Sequence, residues 1–189
     1  MIIIHKIFCI IGRTGVGKSV ITNKAAQKLD MKILKSYTTR SMRKGETVEK
    51  SDHTFINPEE VDQYRDDMVA YTDRVGYCSF ATYQQLFNSD FYIINPTGLY
   101  ELKLKTKDMD IELIPVYISV PYRQTLENAK KRGDIESWKA NYEKENEEFK
   151  SFERSDLIRY RILNNGAIDQ AVDKLTRIVE KERGKDKTF

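Results

Sequence analysis

The first clear feature of the chain is an unbroken apolar run, Ile7-Phe8-Cys9-Ile10-Ile11. A run without polar alternation predicts a strand covered on both faces, as in a parallel sheet. After a polar, glycine-rich stretch, Val20, Ile21, Ala25, Ala26 and Leu29 recur at helical spacing. Lys32–Tyr37 reads as a short second strand. From Thr38 to about Ser79 the periodicity weakens and charged residues crowd together, with one helix start at Asn57-Pro58-Glu59-Glu60, where a capping side chain precedes proline and two acids. Alternation then resumes: a helix at Tyr83–Phe87, a strand at Phe91–Asn95, a helix at Gly98–Lys105 and a strand at Leu113–Val120. Pro121 opens a helix that ends near Arg132-Gly133, and a strongly charged helix runs from Glu136 to about Asp156. Arg159–Leu163 is the last strand. Ile168, Val172, Leu175, Ile178 and Val179 mark a closing helix.

Strands and helices that alternate for most of the length predict an α/β fold of three layers, with a parallel sheet between helices. The segment of about 38–79 holds too little apolar surface to stand alone and reads as an insertion into one domain, whose core is about 1–37 and 80–182. Residues 183–189 read as a flexible tail.

The polar stretch after the first strand is Gly12-Arg13-Thr14-Gly15-Val16-Gly17-Lys18-Ser19, the pattern G-x-x-x-x-G-K-[ST]. It lies between a buried strand and a helix, the context in which this pattern wraps backbone N–H groups around phosphate oxygens at a helix N-terminus. Lys18 is expected to reach the β- and γ-phosphates of ATP or GTP, and the Ser19 hydroxyl to ligate Mg²⁺.

Composition narrows the rest. The 189 residues include 32 Lys plus Arg against 29 Asp plus Glu, a net charge of +3 with the signs interspersed. No basic stripe suits nucleic acid. No apolar run suits a membrane span. Two cysteines, Cys9 and Cys78, and two scattered histidines give no metal cluster. The expectation is a cytoplasmic protein, monomer or homodimer, that takes small-molecule nucleotides and neither nucleic acid nor membrane.

A second constellation concerns the phosphate acceptor. Ser36-Tyr37-Thr38-Thr39-Arg40-Ser41-Met42-Arg43-Lys44-Gly45-Glu46 resembles the acceptor-binding stretch of guanylate kinases, S-x-T-T-R-x-x-R-x-G-E. The guanidinium forks of Arg40 and Arg43 suit a dianionic phosphate. The likeness continues along nearly the whole chain. Asp52-His53-Thr54-Phe55 stands where the family has Asp-Tyr-x-Phe, so the resemblance puts His53 on the acceptor phosphate. Tyr77-Cys78-Ser79 is similar to Tyr-Gly-Thr/Ser, implying Tyr77 on that phosphate and Ser79 near the base. Lys131-Arg132-Gly133-Asp134 resembles the start of a helical lid, about 131–150, from which Arg132 closes over the transferring group. Ile162-Leu163-Asn164-Asn165 resembles the turn beside the donor adenine, which assigns Asn164 to ATP. With Mg²⁺ and ATP, the implied activity is phosphoryl transfer to GMP or dGMP on the P-loop three-layer fold, the 38–79 segment binding the acceptor.

Two positions depart from the family. The glutamate that accepts hydrogen bonds from guanine aligns with Met68, or with Ala70 if a short deletion is allowed, and Asp66, Asp67 and Asp73 stand near enough to replace it. The Asp-x-Asp that ends the third strand is Ile93-Ile94-Asn95, which keeps the shape of an aspartate without its charge. These departures, with His53 and Asn164-Asn165, also resemble ribose 1,5-bisphosphate phosphokinases, a sugar-phosphate branch of the same fold. A guanylate-kinase-like module without activity is a further alternative, set against the intact Gly12, Gly17, Lys18 and Ser19. The acids of the charged helix, Glu143, Glu145, Glu147 and Glu148, read as a solvated face carrying ion pairs, with Trp138 and Phe149 on its buried side.

Overall fold

The computed structural model describes residues 4–42, 46–49, 51–74 and 76–184. β1 (His5–Ile11) is buried from Ile7 onward and pairs in parallel on both edges. It leads through the glycine loop into α1 (Lys18–Leu29). β2 (Ile33–Leu34) and β3 (Ser36–Thr38) follow, then β4 (His53–Phe55), a 3-10 helix over Pro58–Asp67, β5 (Met68–Arg74) and β6 (Tyr77–Thr82). The remaining elements are α2 (Tyr83–Phe87), β7 (Phe91–Ile93), α3 (Pro96–Lys105), β8 (Ile111–Ser119), α4 (Tyr122–Arg132), α5 (Ile135–Glu153), β9 (Tyr160–Leu163) and α6 (Ile168–Gly184).

Five strands form the central parallel sheet, in the order β2-β7-β1-β8-β9. The alternation of β1 divides its side chains between two cores. Phe8 and Ile10 join Ile21 of α1 and Leu175 of α6, while Ile7, Cys9 and Ile11 join Leu99 of α3 and Phe152 of α5. Both faces are therefore dry, which is why the strand carries no polar alternation. The expected α/β layering is present. Among the described residues no helix is long and apolar enough to cross a membrane, and Cys9 and Cys78 are both free and buried.

The second sheet has the order β4-β3-β6-β5, with β3 parallel to β4 and antiparallel to β6. Its apolar residues Val69, Ala70 and Ala81 merge with the Ile7–Phe152 core, while Phe80 is buried against Tyr37 and Tyr64. One expectation changes here. Lys32–Tyr37 is two strands rather than one, because Lys35 leaves the ladder: its carbonyl accepts a hydrogen bond from Gln85 Nε2 at 2.8 Å. The helix start expected at Asn57-Pro58 is present, with Asn57 as its cap, and the helix it opens is 3-10. None of its residues is fully buried, so no packed stripe enforces the α period. Tyr64, stacked on Tyr37 at 4.5 Å, is its principal aromatic anchor.

Leu175 is fully buried between α6 and the sheet. Leu175→Ala should cost about 2–5 kcal/mol, read from urea unfolding. An unchanged midpoint would remove α6 from the core.

Candidate functional site

The glycine loop is shaped by contact as much as by sequence. A Cβ at Gly12 would lie 2.4 Å from the Ile118 carbonyl oxygen, so the chain leaves β1 pressed against β8. Gly15 and Gly17 turn at φ 85° and 89°, a region in which a side chain is strained. Lys18 Nζ lies back across the loop, donating to the carbonyls of Gly12 at 2.6 Å and Arg13 at 3.0 Å. The Ser19 hydroxyl donates to the Asp52 carboxylate. Asn164 at the end of β9 donates through Nδ2 to Val16 O at 3.0 Å, bracing the loop from behind.

α5 holds the loop from outside: Glu143 and Glu147 are exposed as expected, whereas Glu145 and Glu148 depart from the expectation of a solvated face. The Thr14 N–H donates to Glu145 at 2.9 Å, and the Thr14 hydroxyl bonds the same carboxylate. Glu148 accepts from the Thr97 N–H at 2.9 Å and hydroxyl at 2.7 Å, tying α5 to the start of α3. Arg13 turns toward α5. It is buried, bonds Glu153 at 2.9 Å, and lies 4.8 Å from the Tyr142 ring centre and 5.2 Å from that of Phe149. Tyr117 OH donates to the same Glu153 oxygen at 2.5 Å. Burial pushes the Glu153 carboxyl up, but Arg13 and Tyr117 outweigh it and hold the group below its ordinary value. Burial, then the bond to Glu153, raises the Tyr117 phenol. Trp138 covers the loop, its indole atoms 3.5 Å from where a Gly15 Cβ would stand. The Arg132 guanidinium is 3.9 Å from the same point and pairs with Asp134 at 3.1 Å. Glu145, Asn146 and Glu153 were missed as loop contacts. Their signal was the stripe they share with Trp138, Tyr142, Phe149 and Phe152, spaced three and four apart.

On the opposite side stands the second sheet. Ser36 Oγ and His53 Nδ1 lie 2.9 Å apart. Arg40 forks onto both oxygens of Glu46 at 2.7 Å, above the Phe55 ring, and Ser51 Oγ donates to that glutamate at 2.8 Å. Arg43 lies outside the described residues. Ser79 Oγ is 2.8 Å from Thr38 Oγ1. Asn95 caps α3, its Oδ1 accepting from the Gly98 N–H at 2.6 Å.

One cleft of about 690 Å³ joins the two sides. Gly12, Thr14 and Lys18 form its loop wall. Ser36, Arg40, His53, Tyr77, Ser79 and Asn95 face it from the other side. Arg13, Glu46, Arg132 and Asn164 stand behind these walls or beside the loop. Ala70 lines the cleft too, in a β5 bulge at φ 54° whose next N–H, on Tyr71, donates to Glu101 at 3.1 Å. Beyond the bulge Thr72 pairs with Ser79 and Arg74 with Tyr77, all four lining the cleft. Asp73, which pairs with Cys78 between them and interacts with Tyr71, also lines the cleft. Asp66 and Asp67 belong to the 3-10 helix.

The chain shares this architecture with solved structures. The crystal structure of guanylate kinase from Anaplasma phagocytophilum superposes with a TM-score of 0.65 at 18% identity, over 95% of this chain and 86% of that one. An uncharacterized protein from Eubacterium ventriosum matches with a TM-score of 0.51 at 13% identity, over 93% and 99%. At these identities the likeness is one of fold: a distant, guanylate-kinase-like fold. No protein-family model matches the chain, and no curated protein matches it in sequence.

Because Glu153 is held below the ordinary carboxyl value of 4.5, its contribution to stability is complete above that pH. It is lost as pH falls from there through the lower folded value. Glu153→Gln should therefore flatten the fall in melting temperature on acidification below about pH 4.5. An unaltered acid limb would show that the Arg13 clamp carries no pH-linked stability.

Proposed function

We propose that the protein transfers a phosphoryl group from ATP to a nucleoside monophosphate, GMP or dGMP first among them. The observation that carries this reading is the shared cleft: a triphosphate-type loop on one wall and a Ser36–Arg40–His53–Tyr77 cluster on the other. Phosphoryl transfer asks a protein mainly for alignment and charge neutralisation, and this arrangement supplies both. Loop N–H groups and Lys18 hold the donor phosphates, and Asn164 keeps the loop in register. Arg40, Tyr77 and His53 hold the acceptor phosphate, with Arg43 joining them. Arg132 stands at the loop for the charge that develops during transfer. The acceptor oxygen is already anionic, so no general base is needed. Residues of about 38–79 serve as the acceptor-binding unit and about 131–150 as a lid that excludes water. The Ser19 hydroxyl and Asp52 carboxylate are hard oxygen donors fit for Mg²⁺, which when bound neutralises phosphate charge and fixes phosphate geometry. The proposed setting is the cytoplasm, with monomer or homodimer both compatible.

The cleft extends past the phosphate end to Thr72 and Ser79, which leaves room for a base. Ribose 1,5-bisphosphate is the second reading. It is favoured by Met68 or Ala70 standing where the family has its base-reading glutamate, and by His53 and Asn95 on the cleft wall.

The test is ADP release with ATP and Mg²⁺ against GMP, dGMP, the other monophosphates and ribose 1,5-bisphosphate. Turnover on a monophosphate is expected, and Lys18→Ala should lower it by on the order of 10²–10³-fold. Turnover on ribose 1,5-bisphosphate alone would replace the first reading by the second. ATP binding with no turnover on any acceptor would leave a binding module.

A further inference from the structure

We infer that Asp52 is the carboxylate of the divalent-cation site, carried to the donor loop by the acceptor sheet. This rests on the nucleotide reading of the cleft.

Ser19 is the second residue of α1 and stands at the mouth of the loop. Its hydroxyl meets a carboxylate from a different sheet, since Asp52 immediately precedes β4. The turn that carries Asp52 is fixed from both sides. Ser51 Oγ accepts from the His53 N–H at 3.1 Å and donates to Glu46 at 2.8 Å. Glu46 is itself held by the two-pronged bond to Arg40. Asp52 is therefore positioned through Ser51 and Glu46, the glutamate that also holds Arg40 in the acceptor wall.

Mg²⁺ is typically bound by one or two carboxylates together with substrate phosphates and water. Asn95, at the end of β7, brings no charge and spends its Oδ1 on the α3 cap. Glu145 and Glu148 are engaged with Thr14 and Thr97. Asp52 is the acid bonded to Ser19, the loop hydroxyl in the metal-binding position. Its placement makes cation binding depend on the acceptor sheet standing against the donor loop, which links the two halves of the cleft through one ion.

Asp52→Asn separates this from a purely structural strap, because the amide oxygen still accepts from Ser19 while the charge is gone. Trp138 is the single tryptophan and covers Gly15, so its fluorescence reports nucleotide arrival at the loop. Mn²⁺ titration of the ATP complex, followed by electron paramagnetic resonance, reports the cation itself. In the variant, Mn²⁺ affinity of the ATP complex should fall by about 10–100-fold. Metal-free ATP should bind as well as to the wild type or better, because a negative charge near the phosphates has been removed. Mn²⁺ affinity within about twofold of the wild type, with the same melting temperature, would overturn the inference and leave the nucleotide reading intact. A wild-type protein that binds ATP neither with nor without metal would overturn that reading, and the inference with it.

Discussion

The close approach of Gly12 to the Ile118 carbonyl is the constraint from which the site follows. A side chain there would collide with backbone on β8, and backbone cannot step aside as a flexible side chain can. The loop is consequently seated on the seam between the two central strands of the sheet. Its position is set by strand pairing over seven registered residues from His5 to Ile11 rather than by the loop's own bonds. Everything that touches the loop inherits that placement: Asn164 from β9, Arg132 from α4 and the carboxylates of α5.

α5 is the most unusual contributor. Its acids meet the glycine loop, and the Glu145 carboxylate accepts from one of the loop's N–H groups. Arg13 allows a long helix with many acids to lie against the loop, because its buried guanidinium is shared by Glu153 and the faces of Tyr142 and Phe149. Planar charge over aromatic rings is a favourable way to hold a cation out of water. The helix and the loop are thereby tied through charge at one end and through Trp138 at the other.

Much of the fold was legible because its signals are local. The buried run Ile7–Ile11 has one reading once a glycine loop and a helical stripe follow it. The glycine loop between β1 and α1 was legible for the same reason, being a contiguous stretch with a strand before it and a helix after it. What escaped the sequence was pairing across distance. Nothing near Asp52 points to Ser19, thirty-three residues away, and nothing near Arg13 points to Glu153. The choice among Asp66, Asp67 and Asp73 was equally hidden, since it depends on the Ala70 bulge, which resets which side chains of β5 face the cleft. Glu143 and Glu147 are exposed as expected, but Glu145 was misread because charge was weighed before position. Glu145 and Glu153 share a stripe with Trp138 and Phe149, and that geometry outranks their polarity.

The second sheet enters and leaves the body of the protein side by side, because β3 and β6 pair at Tyr37 and Phe80. In polymer terms the segment between them is a loop already closed at its neck, so its length and sequence can change without reopening the parallel sheet. The glycine loop is committed to the β1–β8 seam, whereas the second sheet is fed in and out through one neck and is anchored to the main core by Val69, Ala70 and Ala81. Variation in the stretch between those two neighbouring strands is thereby confined to one wall of the cleft, away from the loop.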